Sequence, residues 1–266
     1  MEEDRYDFYL KMVQRFIRAD ASVLVVAGTE LDASVFRQRG CAQVTVSNLD
    51  ACVPAGFEDY TWERQNAHEL TYADDSFDYV VIHAGLHHCR SPHRALLEMY
   101  RVARLGVLAM ESKDCLVFRV LKRFSLTQHY ETAAVYHNDC ERGGVDNTSV
   151  PNLVYRWTEA EVIKTIAANA PEFPPRVEFA YGLAEPCTPK LQKGGWRSKA
   201  MALAMPLYRM FLLLFPKERN QLAFFVQKPM GRQAHPWLQM HGKSWVFNRQ
   251  WGEERYTKQW QDFTLR

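Results

Sequence analysis

Four short runs of aliphatic and β-branched residues recur through the first 112 positions: SVLVVAG (22–28), QVTVSNLD (43–50), FDYVVIHAG (77–85) and GVLAMES (106–112). Each is too short for a helix and apolar at successive positions, the mark of a strand buried on both faces of a sheet. TWER (61–64) predicts a further short strand between the second and third of these runs. Helical patterns fill the gaps. Leu31, Val35 and Phe36 share a face that Gly40 terminates. In SPHRALLEMYRVA (91–103), Ser91 caps, Pro92 takes the first helical position, and Leu96, Leu97, Met99 and Tyr100 line one face. Tyr6, Tyr9, Leu10, Val13, Phe16 and Ile17 give a lead-in helix over 4–18. Strands alternating with helices predict an α/β, doubly wound parallel sheet with helices on both faces.

The second half is less regular. Thr158 and Glu161 form a capping box at the start of a helix over 158–170, and 176–182 and 220–228 read as two more strands. We expect one domain over 1–228, with an acceptor-loop region at 113–157 and a helical insertion at 183–219, followed by an aromatic-rich extension at 229–266 that holds Trp237, Trp245, Trp251 and Trp260. The apolar stretch 198–215 is interrupted by Lys199, Pro206 and Arg209, which argues against a membrane span but leaves a peripheral membrane contact, a lid or a homo-oligomer face open. The first 20 residues are too charged for a signal peptide. A net charge of +2 gives no general attraction to nucleic acid or to an anionic membrane. The six cysteines include no C-x-x-C pair, which fits thiols in a reducing, cytoplasmic setting.

Ligands of an open parallel sheet bind beyond the carboxyl ends of its strands. Those ends carry Ala27-Gly28-Thr29, then Asp50, then Asn66-Ala67, then His83-Ala84-Gly85 running into Leu86-His87-His88, and Glu111. Small residues permit close approach to the backbone. A carboxylate after the second strand suits two ribose hydroxyls, and an amide after the third suits an adenine amino group. Neither G-x-G-x-x-G nor G-x-x-x-x-G-K-[ST] occurs, so there is no phosphate cradle. A nucleoside cofactor without phosphates is S-adenosylmethionine (SAM).

The stretches QNAHELTYADDSFD (65–78) and SFDYVVIHAGLHHCRSPHRALLEMYRVARLG (76–106) resemble the class I SAM-dependent methyltransferases of the methyltransferase type 11 kind. The resemblance implies a Rossmann-like sheet of seven strands, SAM as cofactor, and a cofactor site made of Ala27, Gly28, Thr29, Asp50, Asn66, Ala67, His83 and Ala84. One departure stands out. Val25 occupies the place of the family's strand-one acid, and AGTELD replaces its glycine-rich turn. We expect Glu30 or Asp32 to supply the missing polar role.

Methyl transfer to an alcohol needs alignment, exclusion of water, and a base or metal for the proton. His87 and His88 are the candidate catalytic residues, with Glu111 as a second candidate base. A divalent metal has no diagnostic ligand spacing here. The loop-rich stretch before residue 157 offers Tyr130, Tyr136, Asn138, Asn152, Tyr155 and Arg156 as acceptor-binding residues, with Gly143-Gly144 as a turn or lid hinge. Aromatic faces beside planar polar groups suit a polyhydroxylated acceptor. The expected reaction is O-methylation of a sugar hydroxyl in a polysaccharide or glycoconjugate. The alternatives are methylation of a small natural product or lipid, and a catalytically degenerate fold kept as a binding or scaffold subunit.

Overall fold

The computed structural model describes residues 2–50, 53, 57, 59–123, 127–184, 195–231 and 233–256. Cys52, Cys187 and Trp260 lie outside the described residues, as does the 185–194 part of the expected insertion.

Seven strands form one sheet: β1 (Val23–Val26), β2 (Val44–Asn48), β3 (Thr61–Arg64), β4 (Phe77–His83), β5 (Ala103–Ser112), β6 (Arg176–Gly182) and β7 (Gln221–Gln227). Their spatial order is β3-β2-β1-β4-β5-β7-β6. The first five are parallel, with Val23 opposite Val44 on one side and Tyr79 on the other. β7 enters antiparallel between β5 and β6. The chain reverses direction between β1 and β4, so the switch point lies where the sequence places its candidate cofactor residues.

All four residues of β1 are buried, which is why its sequence is continuously apolar rather than alternating. Side chains pointing to one face (Val25, Val81, Leu108) meet Tyr9 and Val13 of α1 (Glu2–Phe16) and Phe36 of α2 (Glu30–Arg39). Those on the other face (Leu24, Val80, Ile82) meet Leu96 and Met99 of α3 (Pro92–Val102), with Val162 and Ile166 of a later helix, Glu159–Asn169. Polar groups in these layers are paired. The carboxylate of Asp78 accepts from the Ser22 N–H at 3.0 Å and from Arg104 Nε at 3.1 Å. These bonds hold its carboxyl below the usual range against the opposing effect of burial.

Several elements went unforeseen. β5 starts at Ala103, three residues before the apolar run. Two short helices, α4 (Leu116–Arg123) and α5 (Thr132–His137), occupy the expected loop region. The extension contains a hairpin, Leu238–His241 paired with Ser244–Phe247, whose turn uses Gly242 at φ +63°, and then a helix, Arg249–Arg255. Its tryptophans pack on other rings. Trp237 stacks on His235 at 4.0 Å and tilts against Trp251, while Trp245 meets Phe173 edge-on. No helix among the described residues is long and apolar enough to cross a membrane.

Candidate active site

The ends of β1 and β4 bend through the same unusual backbone. Ala27 has φ +53° and Ala84 φ +52°, in the left-handed region that disfavours a Cβ. Gly85 brings the two ends together, since a Cβ there would lie 2.9 Å from Ala27 Cβ. Thr29 then caps α2, and Asp32, fully buried in its first turn, accepts from Thr29 N–H and Oγ1–H at 2.8 Å each and from the Tyr9 hydroxyl. Asp32 therefore closes the helix start, and Glu30 is exposed. Neither faces the cleft, so the expected stand-in for the missing strand-one acid has a structural task instead.

Above these ends lies a cavity of about 280 Å³. Of the residues read from the sequence as cofactor-binding, Ala27, Thr29, Asp50, Asn66, Ala67, His83 and Ala84 line it. Gly28 does not. Its amide donates to Ser47 O, and an added Cβ would fall 2.2 Å from Val46 Cγ1, so glycine is required there by packing against β2. Asn48, missed in the sequence, joins the tips of β1 and β2 through its Nδ2 bond to Gly28 O at 3.0 Å.

Asn66 Oδ1 accepts from the His68 backbone N–H at 3.0 Å and faces His68 Nδ1 at 3.0 Å. His68 Nε2 in turn accepts from the Ser91 N–H, which assigns the ring proton to Nδ1. With Oδ1 engaged twice, Asn66 offers its Nδ2–H₂, a donor, rather than the acceptor expected for an adenine amino group.

A loop closes the open side. Gly143, Gly144, Asp146 and Asn147 line the cavity. Asp146 accepts from the Arg90 N–H at 3.0 Å and Nε at 3.2 Å, and Arg142 approaches Asp50 at 3.6 Å. The only sequence signal for this cover is the Gly143-Gly144 pair. Gly144 has no room for a Cβ, which would lie 1.9 Å from Val150 O.

The two adjacent histidines separate in environment. His87 is buried and does not line the cavity. Its Nδ1 lies 2.7 Å from Glu111 Oε2 and its Nε2 3.5 Å from Glu131 Oε1. Burial alone would disfavour its charge, but the two carboxylates overcome this and hold it up at about 10. His87 is thus an imidazolium clamped between two acids, a poor base. His88 lines the cavity, with Nε2 3.3 Å from Glu131 Oε2. Burial and the charge on His87 lower its pKa below the ordinary value, so it is neutral at pH 7. Glu131 is desolvated, yet His87 and His88 bring its carboxyl down to about 2. Glu111 also accepts from the Leu86 N–H at 2.7 Å, which fixes the turn after β4. His83 accepts from Arg5 Nε at 3.3 Å and stacks on Tyr9; burial, with the cations nearby, drives it down to about 3. Cys89, also in the lining, is pushed up to about 12 by burial, so it is no nucleophile. His87, His88 and Glu131 offer ligand atoms within 4.8 Å of one another, the one His/acid grouping of that kind among the described residues. Their contacts are already those of ion-paired and hydrogen-bonded groups.

None of the six residues expected to bind the acceptor lines the cavity. Tyr130 and Tyr136 are exposed, and Asn138 Nδ2 bonds Ala134 O at 2.7 Å. Tyr155 donates to Glu161 and packs on Trp157 and His93 beside α3. Arg156 bonds Gln128 O at 3.1 Å and covers Phe118. Asn152 is buried and supports the histidine turn, its Nδ2 donating to His87 O at 3.2 Å and Glu131 Oε2 at 3.3 Å. Of the residues behind the acceptor reading, Asn152, Tyr155 and Arg156 pack against protein, and Tyr130 and Tyr136 face solvent outside the cavity lining.

Residues 24–110 match the family model described as "Methyltransferase domain". A search of curated proteins finds no match. Among solved structures, the YcgJ protein from Bacillus subtilis aligns with TM-score 0.53 at 14% identity, covering 85% of this chain and 98% of that one. A chain from the complex between the Haloferax volcanii Trm112 methyltransferase activator and the putative methyltransferase aligns with TM-score 0.51 at 14% identity, covering 85% and 91%. Magnesium protoporphyrin IX methyltransferase from Synechocystis, with bound S-adenosylhomocysteine, aligns with TM-score 0.50 at 11% identity, covering 85% and 84%. At these identities the structures speak for the fold alone, and the family model covers about a third of the chain, from β1 into β5. The residues present fit the cofactor: a carboxylate after β2, an amide after β3 and two small residues at the tips of β1 and β4 all face one cavity. The sheet order is that of the class I SAM-dependent methyltransferase fold, and residues 24–110 match the methyltransferase domain model.

Proposed function

We propose that the protein methylates a hydroxyl of a polyhydroxylated acceptor, a sugar being the favoured class, with His88 as the base. The observation that carries this reading is the place of His88 in the cavity wall, with its Nε2 3.3 Å from Glu131 Oε2. SAM, when bound, supplies an electrophilic methyl group on a sulfonium. Asp50 holds the ribose hydroxyls, and Asn66 donates from Nδ2 to an adenine ring nitrogen. Ala27 and Ala84 leave room for the methionine portion. His88 removes the hydroxyl proton, and Glu131 stabilises the imidazolium that forms. His87 keeps Glu131 ionised and the turn in place, and so acts as a positioning residue.

Support for a polyhydroxylated acceptor comes from the polar cover, where Asp146 and Asn147 line the cavity. Entry of the acceptor displaces this cover, because Gly143 and Gly144 line the cavity together with His88. The free thiols of Cys41, Cys89, Cys115 and Cys140 support the cytoplasmic placement.

The test is a panel of sugar, catechol and amine acceptors with SAM, followed by His88→Gln. We expect turnover on a sugar hydroxyl and a fall in kcat of about 10²–10⁴ in the variant, with KM for SAM little changed. Turnover only on amines, or a variant with full kcat, overturns the assignment. Calorimetry with S-adenosylhomocysteine tests the cofactor residues separately. Asp50→Ala should abolish measurable binding, and unchanged affinity removes Asp50 from the site.

A further inference from the structure

The long helix Trp196–Leu214 is amphipathic with its apolar side turned outward. Leu203, Leu207, Met210 and Leu214 follow one another at helical spacing along one stripe, and all are exposed, Leu203 at 79% and Leu214 at 74%. Leu212, on the opposite side, is the buried one. A surface helix of a globular domain has the reverse orientation. α4 repeats the pattern. It buries no residue, and Leu116 and Val120 are exposed one turn apart. The two helices are joined at their ends: the Leu116 N–H donates to Glu218 Oε2 at 2.7 Å, and Phe215, 53% exposed, ends the long helix three residues before Glu218.

Charge says what covers this surface. Residues 196–214 include Arg197, Lys199 and Arg209 and no acid, and residues 116–123 include Arg119, Lys122 and Arg123 and no acid. Lys199, Lys122, Arg123 and Lys217, on these two helices or just after the longer one, are exposed. The neighbouring acids are engaged, Glu218 with Leu116 N–H and Asp114 with Arg119 Nε at 3.1 Å. The net charge of +2 over the whole chain hides this local concentration. Exposed leucines bordered by lysine and arginine, on a helix too polar to span, are the composition of a segment that lies in a bilayer interface among anionic headgroups.

We propose that α4 and the helix Trp196–Leu214 form a docking surface for an anionic bilayer. The apolar stripes enter the headgroup boundary and the basic rim pairs with lipid phosphates. α4 follows closely on the carboxyl end of β5, the edge of the sheet on which the cavity lies, so docking sets the active-site edge near the membrane. This inference rests on surface residues alone and stands whether or not His88 is the base.

The test is flotation of the full chain with vesicles of phosphatidylcholine alone and of phosphatidylcholine with roughly one-third phosphatidylglycerol. We expect binding to the anionic vesicles at least about tenfold stronger, weakened by salt. Leu207→Glu with Met210→Glu should remove it, and Lys122→Glu with Arg123→Glu should reduce it about tenfold. Affinity for S-adenosylhomocysteine should stay unchanged in both variants, which shows that they fold. Equal binding to both vesicles, or none, overturns the proposal. So does light scattering that shows a dimer in the original chain and a monomer in the Leu207/Met210 variant, since a second copy would then be the occupant.

Discussion

Up to Ser112 the apolar runs vanish into two layers on either side of the sheet, and the buried charges among them are paired at short distance. Beyond Ser112, β7 continues that pattern, but α4 and the helix Trp196–Leu214 present leucines to solvent inside a basic rim. The first region encloses a small cavity at its strand ends, whereas the second leaves an apolar surface open, which the proposed docking would cover with something large. Apolar content alone does not distinguish them. What does is whether the charged groups point inward to fixed partners or outward around an apolar stripe.

The sharpest way to break this contrast is to change one side chain in each region, a buried charge in the first and an exposed leucine in the second. His87→Leu leaves Glu111 and Glu131 without their shared cation in a buried setting, and should cost about 3–5 kcal/mol in denaturant unfolding. Leu207→Ala, on the exposed stripe, should change stability by less than about 0.5 kcal/mol. Equal costs at the two sites would mean that the outward stripe is packed against protein after all.

The same network gives a pH signature. His87 is held at about 10, above its ordinary value near 6.5, so its contribution is complete below 6.5 and is lost as pH rises through about 10. Glu131 is held at about 2, below its ordinary 4.5, so its contribution is complete above 4.5 and is lost as pH falls toward 2. Stability measured across pH should therefore fall on both sides of a plateau between about 4.5 and 6.5. His87→Leu should abolish the alkaline fall that this pair produces and shrink the acidic one, whereas Leu207→Ala should leave both intact.

These differences also explain what could be read in the sequence. A strand buried on both faces has only one appearance, a run such as VLVV, so β1, β2 and β4 were placed to within a few residues. The residues that line the cavity were legible because they sit at strand ends, whose positions follow from those runs. Gly28 was expected to face the ligand but lies outside the cavity lining; a glycine forced by a neighbour's methyl group looks the same in sequence as one that faces a ligand. The residues expected to bind the acceptor lie outside the cavity lining; in sequence, Tyr155 and Arg156 could equally stack on a sugar or on Trp157 and Phe118, and only tertiary packing decides between these. His87 and His88 are neighbours in sequence with different environments, set by Glu111, which arrives from β5, and Glu131, which precedes α5.

Gly28→Ala tests the packing side of that distinction. Its Cβ would overlap Val46 Cγ1 at 2.2 Å, so we expect a loss of about 1–3 kcal/mol in unfolding free energy. Combining it with Val46→Ala should cost less than the sum of the two single changes, because the second makes room for the first. Additive losses would imply that Gly28 serves the ligand rather than the β1–β2 contact.

The smallest effect separates the regions by backbone strain. Ala27 holds φ +53° at the edge of the cavity, where glycine would adopt the same shape without a Cβ clash. The hairpin of the extension meets the same demand with Gly242. Relief of roughly 1–2 kcal/mol of left-handed strain, less the added freedom of glycine in the unfolded chain, predicts that Ala27→Gly gains about 0.5 kcal/mol. Gly242→Ala should lose stability for the reverse reason. If Ala27→Gly instead destabilises, the Ala27 methyl packs against Gly85 and the β4 turn more strongly than its backbone resists. The alanine at the tip of β1 would then be there to brace the cavity floor, not merely tolerated where a glycine belongs.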